Sequence, residues 1–149
     1  ITVADQWRFT ADQSTNGTLT GWSQVTDSGT ATIGSSMTQS SGVFTFPTTG
    51  IYLVTLQAGG STSDNVTTAR IQLTTDNSSY ITPVSLSFLT NNSITTRQTS
   101  TGSLIVDVTD TSLVKVRFNL NGSDGSGDVV LGSTTSNLTS ATFQKIGET

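Results

Sequence analysis

Hydrophobic positions in this chain recur at every second residue in short runs, and no window sustains a 3.6-residue apolar period. In Leu113–Leu120, Val114, Val116, Phe118 and Leu120 fall on one side while Lys115, Arg117 and Asn119 fall on the other. Ala69–Thr74 sets Ala69, Ile71 and Leu73 against Arg70, Gln72 and Thr74; Tyr80–Leu89 sets Val84, Leu86 and Phe88 against Ser85 and Ser87. Successive strand side chains point to opposite faces, so each run reads as a half-buried strand. Shorter strand segments are Asp5–Phe9, Thr18–Val25, Val43–Phe46, Ser103–Val108, Val129–Leu131 and Leu138–Ile146. Thr30–Met37 and Ile94–Thr99 are polar and read as edges or loops. Asn16-Gly17, the Gly59–Asn65 stretch, Asp76–Ser79, Asp110–Ser112 and Asn121–Asp128 supply turn chemistry between them. The pattern predicts an all-β sandwich of about eight to ten antiparallel strands. With no repeat and no composition break, residues 1–149 read as one domain, with Ile1–Thr18 a candidate N-terminal assembly arm.

One segment departs from the alternation. Pro47, which has no N–H for a ladder, ends Val43–Phe46, and Thr48-Thr49-Gly50 turns the chain into Ile51–Gln57. There Ile51, Leu53 and Thr55 share one face, and Tyr52, Val54 and Leu56 share the other. Both faces are largely apolar, whereas an antiparallel strand with one face in water alternates. One face enters the core; the other needs cover, either from a second sheet of the same chain or from another subunit. Uncovered, Tyr52, Val54 and Leu56 would present roughly 150–200 Å² of apolar surface, about 4–5 kcal/mol at ~25 cal/mol per Å².

Composition narrows the function. Lean hydrophobicity is the mark of disordered chains too, but here the apolar residues gather into strand-length runs. The chain has no cysteine, so no disulfide framework, and no histidine, so no Ser–His–Asp arrangement. Glu148 is the single glutamate and lies near the terminus, which leaves no pair of carboxylates suited to glycoside hydrolysis; no enzymatic activity is expected. The net charge of −4 argues against nucleic acid and anionic membrane as partners. No apolar run approaches the ~20 residues of a spanning helix. No basic-then-apolar leader is visible, and a start at Ile1 is expected of a processed chain or a segment of a longer one.

Three kinds of polar site remain as candidates. Asn121-Gly122-Ser123-Asp124-Gly125-Ser126-Gly127-Asp128 alternates oxygen donors with glycines, and Asn121, Asp124 and Asp128 are candidate Ca²⁺ ligands, although the spacing is not that of an EF-hand and the plain alternative is an Asx-rich hairpin. Trp22 and Tyr80 neighbour turn residues and are candidate contacts for a glycan; burial in the core is the alternative. Arg97 is a candidate for pairing across a subunit boundary. The N-x-S/T sequences at Asn16, Asn65, Asn77, Asn91, Asn121 and Asn137 read as turns.

The order of the motifs carries a resemblance. Gly42-Val43-Phe44-Thr45-Phe46-Pro47-Thr48-Thr49-Gly50-Ile51-Tyr52-Leu53 is followed late in the chain by Ser103–Val108 and Leu113–Leu120. The chain closes on Ser140-Ala141-Thr142-Phe143-Gln144-Lys145-Ile146-Gly147. From Trp22 to Gly147 this resembles the C1q/TNF-like jelly-roll domains. The opening Ala4-Asp5-Gln6-Trp7-Arg8-Phe9 and the close Phe143–Thr149 are similar, more particularly, to C1q-like proteins of marine tailed phages. The resemblance implies a homotrimer around a threefold axis, with Tyr52, Val54, Leu56 and Phe143 as its interface. It also implies a place on the virion surface, as head decoration or fibre tip, among other virion proteins and against host-surface glycans. An extracellular bacterial carbohydrate-binding or adhesin module, monomeric and using Trp22 or Tyr80, is the alternative expectation.

Overall fold

A computed structural model describes residues 1–62, 66–89, 96–124 and 127–149. Among these, twelve strands form: β1 (Ala4–Phe9), β2 (Gly17–Thr18), β3 (Trp22–Gln24), β4 (Thr38–Ser40), β5 (Val43–Thr45), β6 (Gly50–Thr62), β7 (Thr67–Thr74), β8 (Ile81–Phe88), β9 (Thr96–Val108), β10 (Lys115–Asn121), β11 (Val129–Val130) and β12 (Ser140–Gly147). They make two antiparallel sheets. The first runs β9-β6-β12-β1-β3, with β11 also on β6; the second runs β4-β5-β10-β7-β8, with β2 on β10.

The core is an aromatic seam between the sheets. Phe44 of β5 meets Trp7 of β1 edge-on at 5.4 Å and Phe143 of β12 at 5.1 Å. Phe118 of β10 lies 5.5 Å from Phe44 and 6.2 Å from Phe143. Phe46, just past β5, sits 4.7 Å from Tyr52. Offset and edge-on rings at these spacings add to the burial of their surface. The alternation in β10 and β7 is realised as predicted: Val116, Phe118, Leu120, Ala69 and Ile71 are fully buried.

β6 is where sequence and structure part. Tyr52, Val54 and Leu56 are each 0% exposed, sealed inside the chain's own sandwich, and Phe143 is buried beside them. These four residues are therefore not an intersubunit surface. The second sheet covers them, through Phe44, Phe46 and Phe118, and the other face of β6 is the one left outward. The candidate arm is corrected as well: β1 pairs with β12 and β3, and Val3 and Phe9 are buried.

A loop read from its glycines is a strand. β6 runs on through Gly59-Gly60-Ser61-Thr62, paired with β9 at every position, and β9 continues unbroken across Ser100-Thr101-Gly102. Glycine marks a close approach here rather than a turn. A Cβ on Gly60 would stand 2.9 Å from ring carbons of Phe88, and one on Gly102 would stand 2.7 Å from Leu86 Cδ2. The remainder of the Gly59–Asn65 stretch, the start of Ile94–Thr99, Asn91, Gly125 and Ser126 lie outside the described residues.

Phe88 fills the space that Gly60 leaves, so the two positions are coupled. Gly60→Ala is expected to destabilise the fold by roughly 1–3 kcal/mol through overpacking. Adding Phe88→Leu should recover part of that loss, giving a non-additive double-mutant cycle in urea denaturation.

Candidate functional site

The surface that matters is the outward side of the first sheet. Because Tyr52, Val54 and Leu56 point inward, Ile51, Leu53 and Thr55 point out, and the β6–β9 register sets them beside Asp107, Ile105 and Ser103. Ile51 and Leu53 are half-buried; Ile105 is 65% exposed. On the other flank β12 places Gln144 beside Leu53 and Thr142 beside Thr55. The hydroxyls of Thr55 and Ser103 bond at 2.9 Å. The result is a strand face with an aliphatic centre, hydroxyl and amide flanks, and one exposed carboxylate, Asp107, beside Ile51. At its far end Arg97 is exposed, beside a shallow cavity of about 180 Å³ that Gly59, Leu131 and Leu138 also line.

The first sheet is pinned by buried polar contacts. Asp5 accepts from Trp7 Nε1 at 2.8 Å, from the Met37 amide at 2.9 Å and from Gln24 Nε2 at 3.0 Å. Buried Arg8 pairs with Asp27 and donates to Asn137 Oδ1 at 2.7 Å and to the Thr134 carbonyl at 3.1 Å. That pairing holds the Asp27 carboxyl below its ordinary range, chiefly through the hydrogen bond from Arg8.

The candidate ligand contacts separate. Trp22 is a core residue, 5% exposed, packed on Phe9 and Phe118, with its indole N–H donating to the Leu19 carbonyl at 2.7 Å. It has no surface to offer a glycan. Tyr80 is half-buried, and the Arg117 guanidinium lies over its ring, 3.7 Å from the centroid.

The candidate metal ligands stand in different surroundings. Asp128 is fully buried and accepts from the Thr62 hydroxyl at 2.6 Å, whereas Asp124 is exposed. Asn121 uses its backbone carbonyl to accept from Thr68 at 3.2 Å. Among the described residues no three acidic, histidine or cysteine side chains gather.

These contacts lie on a recognisable framework. No protein-family profile and no characterised protein matches the chain by sequence. Solved structures do match. The Eiger TNF of S. frugiperda aligns over 99% of this chain and 94% of its own, at 13% identity and a TM-score of 0.75. Murine APRIL at pH 5.0 aligns over 97% of this chain and 98% of its own, at 11% identity and a TM-score of 0.69. The fold is a TNF-like jelly roll. At such identities the likeness is one of architecture. The outward face of Ile51, Leu53 and Ile105 therefore lies on the β9-β6-β12-β1 side of a TNF-like jelly roll.

The Asp76 turn yields a pH test. Its Oδ1 accepts from the amides of Ser79 at 2.7 Å and Ser78 at 2.9 Å and from the Thr74 hydroxyl at 2.8 Å, while Asn77 takes a left-handed φ of 56°. The Ser79 amide bond, then Thr74 and Ser78, pull the Asp76 carboxyl from 3.8 down to about 2. A carboxyl depressed on folding stabilises above its unfolded value and loses that contribution as pH falls through the folded one. Stability should therefore drop between about pH 4 and about pH 2, and Asp76→Asn should flatten the drop. The difference in urea midpoint between the two proteins across that window is the measurement.

Proposed function

We propose that this chain is a non-enzymatic structural module of a tailed-phage virion surface. It works as a homotrimer closed through the outward face of the first sheet. The carrying observation is that face: Ile51, Leu53 and Ile105 together, the last 65% exposed, on a strand whose opposite side, Tyr52, Val54 and Leu56, is sealed in the core. Thr55, Ser103, Thr142 and Gln144 around them bear no charge, and the exposed Asp107 beside Ile51 is the charged group at the edge of the patch. Association through such a face gains the aliphatic burial, provided that Asp107 at its edge stays in water or finds a partner. Cyclic closure covers the same patch on every subunit and leaves no free end.

The phage setting rests on the resemblance of the first six-residue strand and the closing segment to marine tailed-phage C1q-like proteins. In that setting the module decorates the head or tips a fibre, contacts other virion proteins and meets the host surface. Weak contacts made by several copies add up when their geometry allows simultaneous engagement. The ionic side chains of the first sheet suit a structural role: Glu148 is paired with Lys145, and Asp27 with Arg8. A monomeric carbohydrate-binding module loses one of its two aromatics, because Trp22 is in the core.

Light scattering tests the assembly. The expected particle is about 46 kDa, three copies of a 15.5 kDa chain. Ile105→Arg should reduce it to single chains without lowering the unfolding midpoint of the monomer, since the side chain is exposed there. A native chain that already runs as a single copy would end the trimer reading.

A further inference from the structure

The opposite side of the molecule carries an arrangement that assembly does not use. Three of the chain's six basic residues, Arg70, Lys115 and Arg117, lie on the outward face of the second sheet. Their register is tight. Lys115 and Arg117 are two apart on β10, and Arg70 pairs with Asn119, the next outward position. Same-face neighbours along or diagonally across strands stand roughly 7–8 Å apart, so the three cations form one compact group. The chain as a whole is acidic, at −4. The outward residues that the register sets beside the three are uncharged: Gln72, Asn119, Ser85, Thr45, Val43 and, beside Lys115, Thr74, whose hydroxyl donates to the Asp76 carboxylate. Among the described residues the two ion pairs are Arg8–Asp27 and Lys145–Glu148, both on the other sheet.

Arg117 is held in one pose. Its Nε donates to Gln72 Oε1 at 2.7 Å, and its plane is seated over the Tyr80 ring. Gln72 is itself fixed, its Nε2 donating to Thr82 Oγ1 at 3.1 Å. With Nε and one face used, the terminal nitrogens remain for a planar anion. A guanidinium fork matches a carboxylate in bidentate fashion, and holding it in advance removes part of the ordering cost of binding. Lys115 donates to Thr45 Oγ1 at 3.3 Å, which leaves its ammonium two further protons. The Arg70 Nε is shielded from water and has no hydrogen-bond partner, an unusual state for a buried charged donor.

We propose that this face binds an acidic glycan, with a uronate carboxylate seated on Arg117 and flanked by Lys115 and Arg70. Sugar hydroxyls meet Asn119, Gln72 and Ser85. The observations favour a glycan over nucleic acid: three cations on a chain of net −4 suit a sparse row of carboxylates, and the surrounding amides and hydroxyls match sugar hydroxyls. The proposal deepens the adhesive part of the functional reading and rests on it for its biological setting. It does not depend on the trimer, because the two faces belong to different sheets.

The test is calorimetric titration of the intact chain with alginate oligosaccharides, neutral dextran, dextran sulfate and single-stranded DNA. Alginate is expected to bind, more weakly as salt is raised, and dextran not at all. Arg117→Gln and Asn119→Asp should each weaken alginate binding by about tenfold or more in a chain that still unfolds cooperatively; Arg117→Lys should weaken it several-fold, since an ammonium lacks the fork. Alginate binding that survives both Arg117→Gln and Asn119→Asp overturns the proposal. So do equal binding of dextran, tighter binding of DNA or dextran sulfate, and no alginate binding at all. A single-copy chain that binds alginate would sink the assembly reading alone; a trimer that does not bind it would sink this one alone.

Discussion

Phe44 organises the molecule. Its ring is in contact range of Trp7, Trp22, Phe118 and Phe143, which come from both sheets. Once that seam closes, each strand has one face committed inward, and a one-residue register slip would turn every side chain over. The inward commitment of β6 is the consequential one. Tyr52 packs on Phe46 and bonds its hydroxyl to Thr48, so Tyr52, Val54 and Leu56 are locked inside and Ile51 and Leu53 are turned out. The candidate assembly surface is thus the complement of the core, not an addition to it.

Much of this was legible in the chain. The alternation of Val114, Val116, Phe118 and Leu120, and of Ala69 and Ile71, placed residues on the correct sides because a polar partner stood opposite each. The motif around Pro47 and Gly50 carried the jelly-roll resemblance that the fold matches. What stayed hidden is equally physical. Ile51–Leu56 is apolar on both faces, so period two identifies a strand but not which face is inward; only the aromatic seam decides that. Gly60 read as a loop residue because sequence does not show the Phe88 side chain that occupies its missing Cβ space. Trp22 borders a turn and looked available, yet its indole donates to the Leu19 carbonyl within the core.

The two sheets carry unlike chemistry outward. The first presents an aliphatic, uncharged centre suited to a copy of itself. The second presents three cations, of which Arg117 is held by Gln72 and Tyr80, and is the face proposed for a polyanion. Arg117 gave its signal in the sequence as an outward residue on β10, but its relation to Tyr80, some forty residues earlier, comes only from the packing of β10 against the β7–β8 hairpin. Because the two surfaces belong to different sheets, the proposed assembly through the first would leave the second open to solvent.

The central claim is that the outward face of β6 and β9 is covered by neighbouring copies in solution. Because the chain has no cysteine, Ile105→Cys supplies a single thiol on that face, and Ser85→Cys supplies one on the opposite sheet. Measured by thiol labelling over a dilution series, the account predicts slow reaction at position 105 when the chain is concentrated. Fast reaction should return on dilution, while position 85 stays fast throughout. Equal labelling at both positions at every concentration would contradict it.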